Sequence, residues 1–342
     1  MMYTVLDSDP SRRFIMKDLL FAFNSVAPII FTVAVGYFLK RIGMIDATFA
    51  KAANRLVFRV FLPVMLFMNV YGIDSLSGGS YGYAIYATLA VVLFFLVGIP
   101  VVMLLTKDPS RRAALLQGIF RSNYALIGIP LAERIAGAEG AAVATVLSAV
   151  TIPVFNILAV IALSIFTEGK KGSLKKVLLG IVKNPLIISI AAGLVALGVR
   201  AVFVRCGVSF RLSEVTSVWA TMKYLSNIAT PMALIVLGAQ FEFSAVSSLK
   251  KEIISGTLLR SIIVPLLGLG VAYLAFGKSF SGAEYAALVA VFSTPVAVSS
   301  VPMAQEMGAD STLAGQLVVF TTLSSAFTVF LASFVLRLLG VF

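Results

Sequence analysis

The sequence predicts an all-α membrane protein of about ten transmembrane helices, laid out as two inverted five-helix repeats with crossed, broken helices in spans four and nine. Three observations lead there. The chain is 60% hydrophobic, with a mean hydropathy of +1.02 and only 12% charged residues, against roughly 25% charged in soluble domains. Its apolar residues fall into runs long enough to cross a bilayer, separated by short connections. A segment of the first half also aligns without a gap to a segment of the second.

A soluble fold of 342 residues cannot hide this much apolar surface, because a core grows only as fast as its volume allows. The lipid bilayer is therefore the expected partner of most of the chain. The net charge of +12 is carried largely in short loops between apolar runs, where it encodes topology, so nucleic acid is not an expected partner. Cys206 is the single cysteine and there is no histidine, which leaves no intrachain disulfide and removes the commonest metal ligand and general base. The 15 acidic residues lie in loops or near span ends, Glu133 and Glu306 being the closest to span interiors. No metal, cofactor or enzymatic activity is expected from this set, since no nucleophile–base pair or ligand cluster emerges. A receptor with a soluble signalling domain finds no hydrophilic stretch of sufficient length.

Spans are expected near 19–39, 53–72, 81–105, 112–135, 140–166, 178–199, 214–238, 252–276, 283–306 and 312–338. Residues 1–18 read as an N-terminal extension without the cleavage site of a signal peptide, and Met16 is an alternative start. Residues 19–166 form the first five-helix repeat, 167–177 a cytoplasmic linker and 178–342 the second repeat. Odd-numbered connections are the richer in Lys and Arg, with Lys40, Arg41, Lys51 and Arg55, then Lys107, Arg111 and Arg112, then Lys170, Lys171, Lys175, Lys176 and Lys183, then Lys250 and Lys251. That side should be cytoplasmic, placing both termini outside an inner (cytoplasmic) membrane; Arg200, Arg205 and Arg211 run against it.

The internal match pairs Ala114–Ala132 with Ala286–Ala304. Identities include Phe120 with Phe292, Ala125 with Ala297 and Pro130 with Pro302, and small-acidic turns follow both at Gly137-Ala-Glu and Gly308-Ala-Asp. A five-span unit is odd, so its second copy must insert upside down, as in many secondary transporters. Proline removes an amide donor and clashes with the preceding turn. In lipid the freed carbonyls need partners, so such a break belongs against protein or a water-filled cavity. Half-helix N-termini there offer amides to a carboxylate. The substrate-binding candidates are Ser122, Asn123, Gly128 and Pro130 in span four and Pro295, Ser299, Ser300 and Pro302 in span nine. Arg121 joins them as a cation near mid-bilayer, either bonded to backbone carbonyls or attracting an anion. Lys223 and Arg260 are also deep, but match no feature of the repeat, and Arg59 lies closer to an interface. Asn156, after Pro153 in span five, is a lesser candidate for the same cavity.

Three stretches carry a family resemblance: Lys183-Asn-Pro-Leu-Ile-Ile-Ser-Ile-Ala-Ala-Gly193, Arg121-Ser-Asn-Tyr-Ala-Leu-Ile-Gly-Ile-Pro-Leu-Ala132 and Thr230-Pro-Met-Ala-Leu-Ile-Val-Leu-Gly-Ala239. Together they resemble the auxin efflux carrier family, which includes plant PIN-type carriers and bacterial permeases for malate or malonate. The resemblance covers the chain from about Met16 onward. It implies a secondary transporter of a small organic anion, a mono- or dicarboxylate, working by elevator-like alternating access. It also implies a homodimer joined through a scaffold of spans one, two, six and seven. Asn123 falls where PIN-type members place a substrate-contacting Asn after a proline, and here Ser122 precedes it. Pro295 matches the ninth-span proline, while Asn184-Pro-Leu-Ile-Ile departs from the PIN signature and fits a bacterial branch. A sodium-coupled symporter of the bile-acid type shares the crossed-helix plan and stays open as the alternative.

Overall fold

The structure, a computed structural model, describes residues 10–73, 81–167 and 174–342. Among these the regular secondary structure is helical, and seven helices are long and apolar enough to cross a membrane: Ala47–Tyr71, Gly82–Leu105, Tyr124–Thr167, Pro185–Arg205, Thr216–Gln240, Lys250–Ser279 and Ser311–Leu338. Helix α1 runs Pro10–Arg41, so residues 10–18 of the expected extension continue the first helix; residues 1–9 lie outside the described residues. Helices α2 (Ala47–Leu56) and α3 (Leu62–Tyr71) are fused by a π-helical turn at Val57–Phe61. Helix α4 (Gly82–Leu105) precedes α5 (Pro109–Phe120), a helix of only 12 residues. After a π turn at Tyr124–Gly128, α6 (Ile129–Thr167) continues, bent where Gly137 adopts φ +65°.

The linker expected at 167–177 falls partly on residues 168–173, with Lys170 and Lys171, outside the described residues. Span six starts later than the hydropathy indicated. Leu174–Val182 is a separate helix, α7, and α8 (Pro185–Arg205) begins where the Asn184 side chain accepts from the Leu186 amide and Pro185 fills the first turn. An Asx cap followed by proline is a strong start signal, because first-turn amides have no acceptor in the ladder: the Asn side chain satisfies one and proline's missing amide costs nothing. Then come α9 (Thr216–Gln240), α10 (Phe243–Ser248), α11 (Lys250–Leu258), a π turn at Leu259–Ile263 and α12 (Val264–Phe276). Helices α13 (Gly282–Ser293) and α14 (Ser300–Glu306) are two separated halves, and α15 (Ser311–Leu338) closes the chain.

Burial runs opposite to that of a soluble protein at the periphery. Large apolar side chains point outward, Leu104 and Leu274 at 85% exposure among them, as lipid-facing positions should. The short helices α5 and α13 are instead buried on all sides from Ala113 to Phe120 and from Ala283 to Ser293. They are the centre of the molecule. Helices α1 and α9 approach closely through glycine: a Cβ on Gly238 would stand 1.9 Å from the Val33 carbonyl oxygen, and one on Gly36 would stand 2.1 Å from that of Ile235. Small residues permit such contact where lipid supplies no hydrophobic drive. A second group forms around α13, which packs on α6, α12 and α15.

Candidate functional site

The two broken segments meet as an antiparallel bridge between Ser122 and Val296. The Asn123 amide donates to the Pro295 carbonyl at 2.8 Å, and the Ser122 and Thr294 hydroxyls lie 3.0 Å apart. Thr321 on α15 accepts from the Val296 amide at 3.1 Å. Polar groups released by the breaks thus find protein partners, as mid-membrane backbone requires.

The breaks do not fall at the matched prolines, contrary to the sequence expectation. The chain leaves helix at Arg121–Asn123 and again between Ser293 and Ser300, with Pro295 inside the second gap. Pro130 is the second residue of α6 and Pro302 the third of α14. Proline is tolerated in a first turn, where its missing amide would have no partner anyway. Both therefore follow the breaks rather than make them. Helix α14 has only 7 residues, too few to offer a substantial N-terminal dipole, so positive charge at the site rests on a side chain.

That side chain is Arg121, 2% exposed, at the C-terminal cap of α5. Its Nη1 donates to Gln117 Oε1 at 3.0 Å, to Met303 Sδ at 2.9 Å and to Ser300 Oγ at 3.4 Å. Its Nη2 donates to Asn156 Oδ1 at 2.7 Å and Ser299 Oγ at 2.8 Å. Every one of these partners is neutral, and among the described residues no carboxylate forms an ion pair with Arg121. Beside it, Asn123 Nδ2 and Gln117 Nε2 are buried donors without a partner among the described residues. Unpaired buried donors cost about 1–3 kcal/mol each, a cost that an acceptor ligand removes.

A cavity of about 70 Å³ is lined by Arg121, Ser122, Asn123, Asn156 and Ser299, together with Asn69 on α3 and Thr230 on α9. Its remaining wall includes Met65, Leu66, Ile152 and Phe155. Ser300 touches it through Arg121, and Pro295 through its carbonyl bond to Asn123. Gly128 is away from it, packed on Tyr124 and Ala290, and Pro130 and Pro302 do not line it. Asn69 and Gln117 carry no sequence signal beyond polarity, except that Gln117 stands one helical turn before Arg121; Thr230 opens one of the stretches that carry the family resemblance, which did not mark it as a cavity residue. A larger cleft of about 260 Å³ near Lys40, Asp46 and Glu242 contains none of the candidates.

The other deep cations separate by environment. Arg260 is 1% exposed and bonded to backbone carbonyls, Arg59 lies 3.9 Å from Glu306 with its side chain largely exposed, and Lys223 is exposed on α9.

Apolar helices long enough to span a bilayer, wrapped around two short buried helices whose broken ends meet at a small cavity with a cluster of polar side chains on its wall, define a multi-pass membrane transporter. The chain belongs to the membrane transport protein family, the auxin efflux carrier family, whose model matches residues 21–333. It is also 26% identical over 339 residues to a protein of Methanothermobacter thermautotrophicus described as an uncharacterized transporter, covering 92% of this chain and 98% of that one.

Proposed function

We propose that this protein carries a small organic anion, a mono- or dicarboxylate, across the cytoplasmic membrane by elevator-like alternating access. The observation that carries this reading is Arg121: a fully buried guanidinium, held only by neutral groups, beside the unpartnered amide of Asn123 and lining a cavity at the crossing. A carboxylate there would receive charge-assisted hydrogen bonds. The substrate site comprises Arg121, Ser122, Asn123 and Ser299, with Ser300 and Pro295 positioning them.

Ten spans and an inverted repeat fit the same reading. Span four divides into α5 and the start of α6, span nine into α13 and α14, and the bend at Gly137 separates span four from span five. Residues at equivalent positions in the aligned copies touch each other, Ser122 with Thr294 and Asn123 with Pro295. Such self-pairing is what a two-fold axis through the crossing would produce. We assign the odd-numbered connections to the cytoplasm and a homodimer interface to the α1, α3, α8 and α9 group. The test is a thermal-shift and proteoliposome uptake screen of mono- and dicarboxylates on the purified protein. Saturable binding that vanishes in Arg121→Ala supports the carrier; equal binding in both proteins removes Arg121 from the site.

A further inference from the structure

We propose that Arg260 acts as a tethered cation at the crossing, taking the position that an alkali cation occupies in cation-coupled carriers, so that anion movement by this protein runs without sodium. The inference rests on the carrier reading above. Arg260 sits in the π turn Leu259–Ile263 between α11 and α12, buried to 1% exposure. Its Nε and Nη2 donate to the Thr294 carbonyl at 2.9 and 2.6 Å, Nη2 also to the Val291 carbonyl at 3.0 Å, and Nη1 to the Ile119 carbonyl at 3.3 Å.

These are carbonyls at the C-terminal ends of two different half-helices: Val291 of α13 with Thr294, its C-cap, and Ile119 of α5. Each helix C-terminus carries about half a negative charge. Two such ends together present about one negative charge, which a single guanidinium neutralises. Among the described residues no carboxylate pairs with Arg260, so its charge is matched by the helix ends. Unwound carbonyls and half-helix C-termini are the groups that coordinate sodium or protons in transporters built on broken helices. Here their lone pairs already face N–H donors. The side chain leaves Arg121, on the cavity side of the same crossing, as the cation available to substrate. Arg260 is thus a positioning residue: it fixes the crossing and leaves no vacancy for an alkali ion.

The experiment uses the full chain in proteoliposomes, with carboxylate uptake measured in sodium, potassium and choline media. Wild-type uptake is expected to agree within about twofold in all three, and Arg260→Ala to lose about tenfold or more, the scale of a lost charged hydrogen bond. Millimolar guanidinium chloride should restore Arg260→Ala, and Arg260→Lys should retain part of the rate. A sodium requirement in the wild type overturns the inference while leaving the carrier standing. So does an Arg260→Ala protein that keeps full rate, or one whose loss guanidinium does not repair. If Arg260→Ala does not fold, Arg260→Lys is read in its place: a partial rate that stays independent of sodium supports the inference, and a full rate or a sodium requirement overturns it. Absence of uptake and binding for every carboxylate in every medium instead fails the carrier reading, and this inference with it.

Discussion

An arginine at the bilayer centre costs about 2.5–3.5 kcal/mol on insertion scales, and Arg121 and Arg260 offset that cost by different means. Arg260 spends its donors on backbone carbonyls; Arg121 spends them on Gln117, Asn156, Ser299 and Ser300, side chains that can rearrange around a ligand. We expect Arg121→Ala to abolish saturable uptake while the protein still elutes as a folded species. Arg121→Lys should restore charge but not affinity, since an ammonium cannot reach the same fork of partners. Asn123→Ala should weaken binding by about tenfold, the scale of one charge-assisted hydrogen bond, as read by titration of the thermal shift. Arg121 and Asn123 were legible as candidates because a mid-span cation and a polar residue beside it stand out in an apolar chain. Ser299 was legible on the same ground in the second segment and Asn156 as a lesser candidate; that both bond Arg121 was not, because those contacts join residues 35 and 178 positions apart.

Among the elements, the broken helices depend on a few side chains for their loose ends. Thr321→Val on α15 removes the acceptor of the Val296 amide and should cost about 1–3 kcal/mol, the penalty of an unsatisfied buried donor; a lowered melting temperature with the substrate site intact is the expected reading. Gly238→Ala places a methyl where the Val33 carbonyl already sits, so α1 and α9 must part, at about 1–3 kcal/mol. At the N-terminus of α5, Asp108 accepts from the Ser110 hydroxyl and amide, and chiefly the hydroxyl bond holds its carboxyl below the ordinary value. Asp108→Ala should cost about 1 kcal/mol as a lost cap. Because the folded-state pKa is lowered, that advantage is full above the unfolded carboxylate value of about 3.9 and fades as pH falls through the folded value. Melting curves of both proteins at neutral and strongly acid pH check it. Comparable side-chain caps from Asp46, Asn184, Ser281 and Asp310 start α2, α8, α13 and α15. The position of the breaks was not readable from the sequence, because proline punctuates a helix equally well from its first turn.

Across the whole molecule, Arg111 gathers Glu252 at 3.1 Å and Asp310 at 3.6 Å, with Asp108 at 3.9 Å. The cluster ties α5, α11 and the start of α15 together at one end of the bundle, and the Asp310 amide adds a bond to the Ser110 carbonyl. Glu252 is buried, so Glu252→Gln should lower thermal stability more than Asp108→Asn, whose carboxylate is half exposed. The sequence alone determined that the chain lives in lipid, roughly where its helices run, and which two segments differ from ordinary spans. Those properties follow from hydropathy and local backbone chemistry, which act over one or two turns. The tertiary structure alone decided where those segments break, that Arg121 and Asn123 share a cavity with Ser299, and that Arg260 caps two helix ends at once. Each of these depends on residues far apart in the chain meeting at one point, and no local pattern encodes such a meeting.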